Sequence, residues 1–275
     1  MNLRLGWLLI AVLPLAGQEM TEYQARPLAR DGWSGLLGAR LRTGPAYPGD
    51  SHNVTHLEPL FNAEWRSLYF GASRIGPGFG AGVHAWRKDG LIWDLGLGVG
   101  DKRPESRSPA LAGMGDRRTT LWAGTGLQWR DPRGWHAGTT LAFGLRDEAG
   151  TRATVSAGKG FRLAPQWFMD ASLRVSWADA KANAYDFGIS EEQARNRAAL
   201  AAQGFPLAAN DLGPYAPGGG LRDGEATLML GWMPTRRWLG MVGVNAGAYA
   251  GVARNSPLVR AGSYASAWAG AAYRF

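Results

Sequence analysis

The feature that most constrains this chain is a repeated alternation of apolar and polar side chains with period two, in segments of about ten residues. No stretch reaches the roughly 18 uninterrupted apolar residues of a spanning helix. From Gly32 to Thr43, Trp33, Gly35, Leu37, Ala39 and Leu41 share one face, while Ser34, Gly38, Arg40 and Arg42 fall mainly on the other. Residues 166 to 178 repeat the scheme, with Trp167, Met169, Ala171, Leu173, Val175 and Trp177 opposite Asp170, Ser172, Arg174 and Ser176. Connections alternate in length. Long ones at 44–55, 101–116, 179–222 and 253–261 are separated by short turns such as Arg66-Ser67, Lys88-Asp89-Gly90 and Pro234-Thr235-Arg236. Apolar-out, polar-in strands with one set of long loops predict an all-β fold, an antiparallel transmembrane β-barrel. Twelve strands are expected, at 32–43, 56–65, 67–74, 78–87, 91–100, 117–130, 134–146, 150–162, 166–178, 223–233, 237–252 and 262–275. Ten or fourteen are the alternatives, because the segment 67–87 is divided only at Gly76-Pro77-Gly78.

Composition narrows the class further. With 40 Gly, 13 Trp and no Cys in 275 residues, disulfide-stapled modules, zinc ribbons and iron–sulfur proteins are excluded. Residues 1–17 read as an export signal, with Arg4 in the charged region, an apolar run from Trp7 to Leu13, and Pro14 before the small Ala16 and Gly17. Residues 18–31 would form a periplasmic N-terminal segment and 32–275 the barrel, placed among the lipid and lipopolysaccharide of a Gram-negative outer membrane. Export also removes the nucleic-acid reading that a net charge of +8 would otherwise invite. Trp33, Trp65, Trp129, Trp135, Trp167, Trp232 and Trp238 fall at the short-turn ends, as an interfacial girdle would. Tyr273 and Phe275 end the chain on one face and resemble the terminal strand that barrel assembly machinery reads.

Candidate functional residues follow from the strand faces. Glycines such as Gly82, Gly96, Gly124 and Gly158 lie inward and leave room for large lumen side chains, among them Trp86, Trp122, Arg130, Phe168 and Arg174. A three-residue turn at Lys88-Asp89-Gly90 sets His84 opposite Asp94, both inward. The pair is read as a lumen ion pair, the alternative being the dyad of a lipid-modifying enzyme that still needs a nucleophile. The Gly-rich runs at 76–80 and 96–100 lack the strand-to-helix context of phosphate loops, and four His offer no metal set, so no cofactor is expected. Arg66, Arg87, Lys88, Arg133, Arg236 and Arg237 form a basic rim at the short-turn edge. It is suited to acidic partners or murein, or equally to lipid phosphates. In the longest loop, Ser190-Glu191-Glu192-Gln193 is a capping box opening a helix to about Leu200.

Several segments resemble the MipA/OmpV family of outer-membrane proteins, also called MltA-interacting proteins. The early turn Pro45-Ala46-Tyr47-Pro48-Gly49-Asp50 is similar to that family's, as is the middle motif of Trp177, Asp179, Tyr185, Phe187 and Gly188, continued by Gln193. So are Ser256-Pro257 in the last long loop and the terminal Tyr273-Arg274-Phe275. This chain departs by inserting Lys181-Ala182-Asn183 before the tyrosine. The resemblance implies a barrel without catalytic residues that scaffolds murein hydrolases or synthases on the periplasmic side. Permeation, as a narrow channel, and adhesion are the other roles it implies.

Overall fold

The computed structural model describes residues 32–275 except Pro77, Asp101 and Asp147; the export-signal and N-terminal-segment readings lie outside the described residues. Twelve antiparallel strands close into a barrel. They are β1 Ser34–Pro45, β2 Asn53–Trp65, β3 Leu68–Ala72, β4 Phe79–Lys88, β5 Leu91–Val99 and β6 Leu121–Arg130, then β7 Trp135–Gly144, β8 Thr151–Ala164, β9 Trp167–Ala178, β10 Gly220–Trp232, β11 Trp238–Tyr249 and β12 Ser263–Arg274. Each strand pairs with its chain neighbours, and β1 pairs with β12 from Leu36↔Arg274 to Thr43↔Ala267. Gly35 and Phe275 exchange backbone hydrogen bonds of 3.0 and 3.1 Å, so the closing seam runs to the last residue. The expected division at Gly76–Gly78 holds, which settles the count at twelve. β6 starts later than read, at Leu121, because Arg117 instead bridges to Arg103 within the outer loop.

No described helix is long and apolar enough to cross a membrane, whereas the strands carry the apolar surface on their outer side. Leu37, Leu41, Leu57, Leu97, Val155 and Leu173 are exposed there, as side chains facing lipid must be. The tryptophans expected in the girdle stand at the short-turn end, two pairs of them stacked across strands, Trp33 on Trp65 and Trp167 on Trp232, with ring centroids 6.1 and 6.0 Å apart. The inward face is filled. Leu36, Leu60, Phe168, Met229, Leu239 and Trp268 belong to one buried apolar cluster, and Ile75, Trp122, Ala142 and Ala149 to another. The space over the inward glycines is taken partly by residues not foreseen. A Cβ on Gly82 or Gly96 would fall 2.3 Å from the Tyr69 hydroxyl, one on Gly124 2.4 Å from Ile75, and one on Gly158 2.4 Å from the His136 ring. Ile75 reaches the lumen because Ser73 Oγ accepts hydrogen bonds from the Ile75 and Gly76 amides and folds the β3–β4 connection inward.

The longest loop, between β9 and β10, holds two helices, α1 Ala180–Phe187 and α2 Glu191–Ala202, and the last long loop holds the single turn α3 Gly251–Arg254. α2 opens on the predicted reciprocal capping box between Ser190 and Gln193 and runs two residues past Leu200. α1 was not expected. Its start is nevertheless encoded, since the Asp179 side chain accepts from the Ala182 amide as an N-cap.

Leu173 is 65% exposed midway along β9. Leu173→Arg should destabilise the bilayer-embedded barrel by about 2–4 kcal/mol, measured by reversible urea unfolding in lipid vesicles. Loss of no stability there would contradict a lipid-facing position.

Candidate functional site

The lumen pair forms by a route different from the one expected. Asp89 and Gly90 both have positive φ, 50° and 83°, and make a two-residue turn between Lys88 and Leu91. That turn alone would put His84 out of register with Asp94. A bulge between His84 and Trp86 absorbs Ala85 and restores the His84↔Asp94 pairing. The bulge also corrects one expectation: Trp86 pairs with Trp93 on the outer face and is exposed there, not in the lumen. Trp122, Phe168 and Arg174 are buried inward as expected, and Arg130 lines a cavity at the short-turn end.

His84 and Asp94 are part of a larger network. His84 Nδ1 lies 2.5 Å from Asp94 Oδ1, and its Nε2 lies 3.8 Å from Glu64 Oε1. Glu64 pairs with Arg74 and lies 3.5 Å from Arg87, while Arg74 Nη1 is 3.8 Å from Asp94 Oδ2. The imidazole therefore faces carboxylates at both nitrogens, where a hydrolytic triad needs a hydroxyl or thiol at one. Elsewhere in the lumen, Arg40 holds Glu58 at 2.6 Å, Arg174 holds Glu225 at 3.0 Å, and His136 lies 3.0 Å from Asp170. Buried charge is costly unless paired, and these inward charges are paired across strands. The sequence reading had only the first pair, because the others join residues whose proximity depends on the closed register.

Below this network lies a cavity of about 820 Å³ at the short-turn end, bounded by Glu64, Arg74, Arg87, Lys88, Trp129 and Arg130. Arg66, Arg87, Lys88, Arg133, Arg236 and Arg237 are all exposed at that end. Arg66 sits over the Trp65 ring at 4.8 Å, and Arg237 donates to the Tyr273 hydroxyl at 2.9 Å.

The long loops pack on one another at the other end. The Tyr47 hydroxyl donates to the Leu258 carbonyl at 2.8 Å, and the Gly49 carbonyl accepts from the Arg260 and Ala261 amides. Gly49 has φ of +102°, and a Cβ there would strike Val259. Ser256 Oγ donates to the Phe187 carbonyl at 2.6 Å, while the Phe187 ring meets Tyr249 edge-on. Asp179 accepts from the Thr151 and Ala182 amides, and Gly188 N–H donates to the Ala184 carbonyl to close α1. Tyr185 donates to the Arg118 carbonyl. Pro45 ends β1 opposite Asn53, Trp177 faces outward from β9, and Pro257 follows Ser256 in the last loop. The motif residues thus lie in or border one outer cap, drawn from loops far apart in sequence.

At its centre is a residue that sequence reasoning missed. Asp186 Oδ1 lies 2.5 Å from Arg117, and Oδ2 lies 2.7 Å from Arg152 and 2.5 Å from Arg222. Arg103 donates to the Asp186 carbonyl at 2.9 Å. Burial alone would raise the Asp186 carboxyl, but Arg152, Arg222, Arg117 and Arg103 outweigh it and hold it far below the carboxylate range. Burial, with Arg117 adding to it, lowers Arg103 to about 10, and burial with Asp50 pushes Tyr47 up to about 12. A second pin forms where Asp211 receives Arg260 at 2.6 Å and Arg197 reaches the Asp211, Ala110 and Ala112 carbonyls. The only hint in the sequence was the position of Asp186 between the motif residues Tyr185 and Phe187.

A closed antiparallel barrel with an apolar outer band, an aromatic girdle at one end and long loops at the other is an outer-membrane β-barrel protein of a Gram-negative bacterium. The chain belongs to the MipA family, described as MltA-interacting protein MipA, which matches residues 37–275. No curated protein matches it. Among solved structures it is similar to an outer-membrane channel of Pseudomonas putida F1, at 8% identity over 91% of this chain and 98% of that one, with a TM-score of 0.44. It is also similar to the outer-membrane channel DcaP of Acinetobacter baumannii, at 8% identity, 89% and 96% coverage and a TM-score of 0.40. The translocator domain of autotransporter NalP from Neisseria meningitidis is a third, at 9% identity, 94% and 93% coverage and a TM-score of 0.40.

Asp186→Asn would leave buried guanidiniums without their shared carboxylate, at a loss of about 3–5 kcal/mol. Because the folded carboxyl titrates below its unfolded value, its stabilisation is complete above the ordinary carboxylate range and vanishes only as pH falls through the depressed value. Wild-type outer loops should therefore resist pepsin at pH 4, while the variant's are cut near α1.

Proposed function

We propose that this barrel is a non-enzymatic structural protein of the outer membrane that presents its short-turn rim to murein-synthesising or murein-lytic enzymes. The observation that carries the reading is the filled lumen. Leu36, Phe168, Met229, Met241 and Trp268 pack together in the barrel, and lumen charges such as Arg40 with Glu58 and Arg174 with Glu225 are tied to one another. A packed interior suits an anchor better than a conduit. The accessible functional surface is then the periplasmic rim, where Arg66, Arg87, Lys88, Arg133, Arg236 and Arg237 stand exposed. The name of the family, MltA-interacting protein, supports a murein enzyme as the partner. The terminal Tyr273 and Phe275, in the closing seam, suit recognition by the assembly machinery, and the outward leucines suit lipid and lipopolysaccharide.

Reversing charge at Arg236 and Arg237 to Glu should reduce capture of a murein-lytic enzyme several-fold and flatten its salt dependence, read by surface plasmon resonance on nanodisc-embedded protein. Capture that is unchanged would remove the rim from the interaction. Planar-bilayer recordings should give no steady conductance; a reproducible single-channel step would overturn the anchor in favour of a narrow channel.

A further inference from the structure

The outer cap contains a pocket of about 770 Å³ between the β5–β6 loop, the β7–β8 loop and the helices of the longest loop. Among the described residues that line it, Arg103, Arg117, Arg118, Arg146 and Lys181 are cationic, and Asp116 and Glu148 are acidic. Asp116 is already engaged, accepting from the Glu105 amide at 2.8 Å. The wall behind the pocket does not offset the surplus. There a single carboxylate, Asp186, is shared by Arg117, Arg152 and Arg222, and the buried Nε of Arg117 has no hydrogen-bond partner. Arg117 is fixed from the other side by Tyr185, whose ring lies 4.6 Å from the guanidinium. The site is therefore braced at its base and open at its rim, where Arg118, Arg146 and Lys181 are exposed. Planar guanidinium forks match tetrahedral oxyanions with paired hydrogen bonds, and a surplus of several positive charges favours a group carrying nearly two negative ones.

We propose that this pocket binds a phosphate monoester from the external side of the membrane, supplied by a soluble phosphorylated solute or by a phosphorylated lipopolysaccharide headgroup. Arg117 would anchor the phosphate from the cap, and Arg118, Arg146 and Lys181 would close on it from the loops.

The test uses the full barrel in detergent micelles, titrated calorimetrically with glucose 6-phosphate and with unphosphorylated glucose at constant ionic strength. A parallel titration uses lipopolysaccharide micelles before and after enzymatic dephosphorylation. Saturable binding of glucose 6-phosphate but not glucose is expected, weakened about tenfold or more in Arg118→Ala/Lys181→Ala. It should also weaken from pH 7.5 to 5.5, as the ester gains its second proton near pH 6. Binding of phosphorylated lipopolysaccharide alone, with the same loss in the variant, assigns the lipid source. Binding of neither probe, equal binding of glucose, or unchanged affinity in the variant overturns the proposal. Should the double variant fail to fold, Arg146→Gln makes the same comparison. The rim variant Arg236→Glu/Arg237→Glu should bind glucose 6-phosphate like wild type, so this test and that of the periplasmic rim fail independently.

Discussion

The pairing of β1 with β12 is the contact on which the rest depends. In hydrocarbon an open strand edge leaves backbone donors and acceptors without water, at several kcal/mol for each group. Register from Leu36↔Arg274 to Thr43↔Ala267, extended by Gly35 and Phe275, removes that edge. Closure also fixes the parity of every strand. Because side chains alternate, a slip of one residue would exchange the lipid-facing leucines of β1 for Arg40 and Arg42. The energetic penalty for such a slip in a bilayer is what makes the alternation so legible.

Closure of twelve strands leaves an interior that side chains must fill or water must occupy. Here inward glycines let single large groups lie over neighbouring strands, as Tyr69 does over Gly82 and Gly96 and Phe168 over Gly231. The charges that remain inside are linked across strands. Glu64 on β2, Arg74 from the β3–β4 connection and Asp94 on β5 form one chain, and Glu225 on β10 joins Arg174 on β9 to Tyr264 on β12. Such buried pairs add little net stability against an apolar alternative, but each is costly to break. Their effect is to penalise wrong registers, which suits a sheet whose strands are otherwise similar repeats of small and apolar residues.

What could be read from the sequence was whatever period two and turn residues encode. All twelve strands, the girdle and the lumen facing of His84 and Asp94 belong to that class. The pair was found through an incorrect turn: the three-residue hairpin and the observed two-residue hairpin plus bulge give the same frame at His84, but opposite faces at Trp86. Turn length was ambiguous because Lys88-Asp89-Gly90 can supply left-handed positions either way. The Asp186 hub was legible only as a position between two motif residues. Its ligands come from residues 103, 117, 152 and 222, brought together only when the β5–β6 loop, β8 and β10 meet over the mouth. α1 escaped notice for a related reason, as its short sequence shows no apolar stripe and is held by burial of Phe187 under the last loop.

The two ends of the barrel carry positive charge in opposite ways. At the outer mouth, Arg103, Arg117, Arg152, Arg222 and Arg197 are withdrawn from solvent and tied to Asp186 or Asp211, so the cap is held together by interactions that salt barely reaches. At the short-turn end the arginines stand in solvent, where a Debye length of about 8 Å at physiological ionic strength screens anything but a partner in contact. Raising salt should therefore screen the charges at the short-turn end while leaving the outer cap intact. That difference in burial gives one chain a salt-resistant closure at its outer mouth and salt-screened charges at its other end.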